Sequence, residues 1–172
     1  MTVSRHETAS GWRWLWLSAA VIVADQVTKA LVKAWLAPQE TRPFGSLFAF
    51  ILTFNDGAAF SVGAGAGGWQ RWFFMAIAVV ASVLIAWLLK RGGAAIYCAG
   101  LALILGGAIG NLCDRIVLGK VVDFLLFHYD RWTFPAFNVA DSAITVGAVL
   151  VILDSFRQRR TEAVPAVPAK EP

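Results

Sequence analysis

Asp123 and Asp141 are the residues whose types and surroundings most directly suggest chemistry in this sequence. Asp123 interrupts GKVVDFLLF (119–127), where Val121, Val122, Phe124 and Leu125 leave a carboxylate poorly solvated. Asp141 lies in PAFNVADSA (135–143), where a long apolar run begins. Two carboxylates brought close in such a setting cannot both ionise cheaply, so one pKa rises and they share a proton. The ionised partner can then activate a water as general base. The protonated partner can polarise a carbonyl and afterwards protonate a leaving amine. The pair would titrate as a unit, so sequence does not divide acid from base. A structural rival exists for Asp141: Asn138 resembles an N-cap, and a carboxylate three residues later suits a cap and the helix dipole.

Other chemistries find little support. His6 and His128 have no ligand-like company, and no HExxH or CxxC pattern occurs, so no metal and no cofactor is expected. No GxSxG or Ser/Lys pairing suggests a serine nucleophile. Cys98 and Cys113, if both on one helix, stand about 22 Å apart at the helical rise, too far for a disulfide. They read as small apolar packing residues.

The elements that must position the two aspartates are membrane spans. The chain has 172 residues, 58% hydrophobic and only 15% charged, with a mean hydropathy of +0.64. That is too apolar for an ordinary soluble domain. Four apolar runs stand out: Trp14 to about Trp35, Trp72 to Leu89, Ala94 to about Leu112, and about Val139 to Phe156. A span needs roughly 20 residues, so four nearly exhaust the chain. Trp14, Trp16 and Trp35 bracket the first run as interfacial belts. Asp25 and Lys29 interrupt that run and no clear A-x-A site follows it, so it is read as a retained span and not a cleaved signal peptide.

The net charge of +4 does not point to nucleic acid, because the basic residues flank apolar runs instead of forming a stripe. Arg5 and Arg13, Lys90 and Arg91, and Arg157, Arg159 and Arg160 fall on one side of a four-span arrangement, which the positive-inside rule makes cytoplasmic. Both termini are then cytoplasmic, and the connections 36–71 and 113–138 face outward. In the first of these, Phe44–Phe54 is rich in aromatic and branched residues, long enough for a strand or hairpin but too short to span. The glycines of 62–68 loosen its end. The expected domain is residues 1–160, with 161–172 a disordered cytoplasmic tail.

Ionisable groups at membrane depth are costly and are read as functional by default. Asp25, Lys29 and Lys33 share one helical face. Their structural reading is an Asp25–Lys29 ion pair with Lys33 snorkelling outward; the alternative is direct orientation of catalytic groups. In GGAIGNLCDR (106–115), Gly106 and Gly110 suit close helix packing. Asn111 and Arg115 share a face and could point at one polar site, although Arg115 could instead anchor at the headgroups. Intramembrane carboxylates also mark ion paths, so a transporter subunit is a rival function, and a glycine-packed assembly protein is a third.

The segments DQVTK (25–29), FNDGAAFS (54–61), GGAIGNLCDR (106–115), VVDF (121–124) and FNVADSA (137–143) resemble, in order, the successive motifs of the lipoprotein signal peptidase family, signal peptidase II. The resemblance covers roughly residues 12–157, and no motif position departs from the pattern. It implies an all-α bacterial inner-membrane protein: four transmembrane helices with a small outward-facing β-rich cradle, Phe44–Ser61, between helices 1 and 2. It implies an aspartic endopeptidase, expected as a monomer, with its site near the outer face. The substrate would be a diacylglyceryl-modified prolipoprotein, cut just before the lipidated cysteine, and the cyclic peptide globomycin would inhibit. The catalytic pair corresponds to Asp123 and Asp141. Asn55, Asn111, Arg115 and Asn138 fall at positions that hold substrate backbone or support the dyad, and Asp25, Lys29 and Asp114 at supporting polar positions.

Overall fold

The computed structural model describes residues 10–56 and 69–162. A short 3-10 turn, Gly11–Trp14, leads into α1 (Leu15–Trp35). Strands β1 (Thr41–Phe44) and β2 (Phe48–Asn55) follow, then α2 (Trp69–Arg91) and α3 (Ala95–Val117). The chain closes with β3 (Val121–Tyr129), β4 (Trp132–Thr133) and α4 (Val139–Glu162). All four expected runs are helical, and each helix is long and apolar enough to cross a membrane. The helices outrun the hydropathy: Lys90 and Arg91 belong to α2, and α3 carries Asn111, Asp114 and Arg115 inside its last turns. The backbone hydrogen-bond ladder runs past the apolar stretch to the next stop signal, Gly92 at φ +75° after α2 and Gly119 at φ +78° after α3.

The bundle is inverted relative to a soluble protein. On α1 the buried residues are Ser18, Asp25, Lys29 and Val32, while Trp16, Val23, Val27 and Leu31 lie exposed on its outside. Lys33 is exposed, as snorkelling requires. Helix α3 is the central element, packed against α1, α2 and α4. Its glycines make this possible. A Cβ on Gly106 would stand 2.7 Å from the Ser18 carbonyl of α1, and one on Gly107 would collide with the Ala140 carbonyl of α4. Cys98 is buried and joins Ile85, Leu89, Leu101 and Leu105 in an apolar cluster; Cys113 lies on the same helix and both are free thiols.

A four-stranded antiparallel sheet in the order β1-β2-β3-β4 crowns one end of the bundle. This corrects the sequence expectation in one respect. The connection between helices 1 and 2 supplies only β1 and β2; β3 and β4 come from between helices 3 and 4. The apolar 119–127 stretch, not read as a strand, carries most of β3, which joins the two connections. Its alternation is masked because Val121 through Phe124 are all buried, as in a strand covered on both faces. The pairing sets Thr53 opposite Asp123 and Asn55 opposite Val121, after a register shift between Phe50 and Thr53. Beneath the sheet, Val32, Leu36, Leu52, Val122 and Phe124 form a second apolar cluster. Of the expected cradle, Gly57–Ser61 lie outside the described residues, as do the 62–68 glycines, His6 and the chain from residue 163 onward.

Candidate active site

Four elements converge below the sheet, and each delivers polar side chains for a local reason. Helix α3 ends in a turn closed by Leu118 N–H on the Asp114 carbonyl (2.7 Å), with Gly119 at φ +78°, a conformation that suits glycine. That turn reverses the chain into β3 and places Asp123 beside the helix it has just left. Asp114 fixes the geometry, since its Oδ2 accepts the Val122 N–H at 3.0 Å. Phe137 then clips the approach of α4 to β3: it donates to the Leu125 carbonyl (2.9 Å) and accepts from Leu125 N–H (2.8 Å). The next residue is Asn138.

Asn138 is fully buried and touches both aspartates. Its Nδ2 donates to Asp123 Oδ1 at 2.8 Å, and its backbone N–H donates to Asp141 Oδ2 at 3.2 Å. Its Oδ1 accepts from the Asp141 N–H at 2.9 Å. This is a reciprocal capping box, so the capping reading of Asp141 holds. The same cap holds the Asp141 carboxylate beside the polar cluster, so capping and a place in the site are one arrangement. Asn111 donates from Nδ2 to Asp141 Oδ1 at 2.8 Å, and Asn55 donates to Asp123 Oδ2 at 3.0 Å. Asp123 is 2% exposed. Burial, then the neighbouring Asp141 carboxylate, push its pKa from the ordinary 3.8 up to about 6, against the amide donors Asn55 and Asn138 and the Lys29 charge.

Behind the pair stands an ionic cluster. The Lys29 ammonium lies 2.8 Å from Asp25 and 2.8 Å from Asp114, and donates to Asn111 Oδ1 at 2.9 Å. The expected Asp25–Lys29 ion pair is present, but Lys29 also reaches the site through Asn111. Asp25 Oδ1 in turn accepts the Ala140 N–H at 2.9 Å, at the first turn of α4. Arg115 is half-buried over the Phe74 ring at 5.3 Å, donates to the Asn111 carbonyl at 3.4 Å, and lies within coulombic reach of Asp141, Asp123 and Asp114. Its placement favours the polar site over a headgroup anchor.

Sequence reasoning missed Gln26. Its Nε2 donates to Asp114 Oδ1 and to the Gly110 carbonyl, both at 3.1 Å, and lies 3.2 Å from Asp25 Oδ2. The signal was available, since an amide at membrane depth beside Asp25 needs partners as much as an ion does. Ser18, whose Oγ donates to the Ala102 carbonyl at 2.7 Å, was overlooked too. Among the described residues, no three His, Cys, Asp or Glu side chains cluster as metal ligands would. Next to Asp141, a largely apolar cavity of about 560 Å³ is lined by Phe134, Pro135, Ala136, Phe137, Ser142, Thr145 and Val146.

Fold and site define a class: a multi-pass membrane protein with two amide-held carboxylates, Asp123 buried and Asp141 half-buried at the wall of an apolar cavity. Within that class, the chain belongs to the signal peptidase II family, whose model, described as Signal peptidase (SPase) II, matches residues 17–157. It is 54% identical to the lipoprotein signal peptidase of Paraburkholderia phytofirmans, over 86% of either chain. It is also 54% identical to that of Pseudomonas aeruginosa PAO1, over 86% of this chain and 90% of the relative. A solved bacterial membrane enzyme, determined by the in meso method at 2.3 Å, shares the fold with a TM-score of 0.80 at 24% identity, covering 94% of this chain and 97% of the other. The protein is therefore a membrane peptidase of this family, which sets aside the transport and assembly readings.

Proposed function

We propose that the chain is an aspartic endopeptidase that removes the signal peptide from diacylglyceryl-modified bacterial prolipoproteins, cutting just before the lipidated cysteine. The observation that carries this reading is Asn138, one residue whose side-chain and backbone donors hold Asp123 and Asp141 together. In the mechanism, the two carboxylates share one proton. The ionised partner removes a proton from a water as that water attacks the scissile carbonyl. The protonated partner donates to the carbonyl oxygen, and collapse of the tetrahedral intermediate returns a proton to the departing amine. Asn55, Asn111, Arg115 and Asn138 hold the substrate backbone and the dyad, with Asp25, Lys29 and Asp114 behind them.

The site stands at the outer face of the bacterial inner membrane, both termini being cytoplasmic. Lipidation keeps the substrate at that surface and raises its effective concentration there. The apolar cavity beside Asp141 suits a substrate that arrives from the bilayer. The test is to incubate the purified protein with a lipidated prolipoprotein and to compare it with Asp123→Asn and Asp141→Asn. Each single change abolishes processing while the protein still inserts and folds, and globomycin blocks the wild type. Near-normal turnover by either variant would sink the dyad assignment.

A further inference from the structure

We propose that Lys29 is a positioning residue for the reaction: acting through Asn111, it holds Asp141 as the ionised member of the pair and leaves the shared proton on Asp123. The inference rests on the peptidase reading above and adds to it which aspartate is base and which is acid.

An asparagine amide has an accepting end and a donating end, and which end faces a carboxylate decides between a hydrogen bond and lone-pair repulsion. Asn111 Oδ1 receives Lys29 Nζ at 2.9 Å and Asn138 Nδ2 at 3.2 Å. An ammonium only donates, so the oxygen must face Lys29 and the NH₂ must face Asp141, 2.8 Å away. The other Asp141 oxygen receives the backbone N–H of Asn138, the cap of α4, and Asp141 stands in the first turn, where the helix dipole favours an anion. Asp123 has no such helix terminus: it sits on a strand, and among the described residues its hydrogen-bond donors are the side-chain amides of Asn55 and Asn138.

The charged groups around this relay are few. Lys29 faces Asp25 on its own helix and Asp114 on α3. Asp141 has Asp123 on β3, Arg115 on α3, and Lys29 and Asp25 on α1 within coulombic reach. Two carboxylates share the ammonium, so its influence on Asp141 arrives through the oriented amide more than as a free charge. Lys29 does not touch the reacting atoms.

The experiment measures kcat, KM and the pH profile of kcat/KM for wild type, Lys29→Met and Lys29→Met/Asp25→Asn on a lipidated prolipoprotein. The double variant removes one charge of each sign and guards against misfolding. With Asn111 free to turn, the geometry at Asp141 loosens, and kcat falls by about 10²-fold with little change in KM. The acid limb of kcat/KM moves to higher pH, because the donor that favoured the anion is no longer held. Asn111→Asp keeps the acceptor for Lys29 but removes the donor, so it shifts the same limb in the same direction even if Lys29 variants fail to fold. Adding Lys29→Met to Asn111→Ala has little further effect on kcat. An unmoved acid limb in folded Lys29 variants, or in Asn111→Asp, overturns the relay while leaving the peptidase reading intact. Failure of the wild type to process the substrate overturns both.

Discussion

Replacing Asp123 by Asn tests the claim that this carboxylate is held out of water beside another. Its pKa stands at about 6 in the folded protein against an ordinary 3.8. Because the folded value is the higher one, the native state binds the proton more tightly than the unfolded chain does. Below pH about 3 both states are protonated and the group contributes nothing. Between about 4 and about 6 the unfolded chain gives up the proton while the native state keeps it, so stability falls as pH rises and levels off once Asp123 ionises in the native state too. At about 1.4 kcal/mol for each pH unit of separation, the full penalty is about 3 kcal/mol.

The asparagine variant lacks this penalty but carries a cost of its own. Asn55 and Asn138 both donate to the Asp123 oxygens, so an amide NH₂ there meets a donor and costs about 1–3 kcal/mol. That cost does not change with pH. The informative quantity is therefore how the stability difference varies between pH 4 and pH 8, and the variant gains most of that ~3 kcal/mol on the wild type across that range. For a chain of this length about 3 °C corresponds to 1 kcal/mol, so the melting temperatures cross or converge by up to about 9 °C. Eight tryptophans supply the fluorescence signal for thermal unfolding in detergent micelles. Parallel curves for the two proteins from pH 4 to pH 8 would refute the reasoning.

Asn138→Ala removes the side-chain donor to Asp123 and the cap on Asp141 together, so processing falls by about 10²-fold. The melting temperature drops as well, because a lost cap alone costs about 1 kcal/mol; an active, equally stable variant would contradict the bridging role. Gly107→Ala drives a methyl into the Ala140 carbonyl and to within 2.7 Å of Ile144, which forces α3 from α4 at about 1–3 kcal/mol. Because Ala140 adjoins Asp141, turnover falls with the thermal midpoint, and an unchanged midpoint would show that the helices have room to spare. Asn55→Ala deletes a donor that favours ionised Asp123, so the alkaline limb of kcat/KM moves to higher pH. A limb that moves downward or stays in place would remove Asn55 from the site.

Much of this molecule is legible one residue at a time. Spans announce themselves by apolar length, since the bilayer sets how many residues a helix needs. Asp25, Lys29 and Asn111 declare themselves because polar groups at that depth are expensive and must be partnered, and Asp123 because its apolar neighbours leave it poorly solvated. The Asn138 cap is local, its two partners three positions apart, and could be read from spacing alone. Gln26 escaped notice because Asp25 and Lys29 beside it form an ion pair that accounts for that face without it.

What tertiary structure decided is everything that depends on partners far apart in the chain. No local pattern marks 121–129 as a strand, because both its faces are covered and its alternation is erased. Its pairing with β2 brings Asn55 to Asp123 across 68 positions, and the meeting of α1 with α3 brings Lys29 to Asn111 across 82. The sequence by itself determined that two aspartates would be costly to bury and that helices would carry their supports. Only the packed bundle decided that one asparagine would hold both carboxylates and one lysine would orient the amide behind them. Such contacts come from close helix approach at glycines and from sheet register, which no stretch of sequence contains alone.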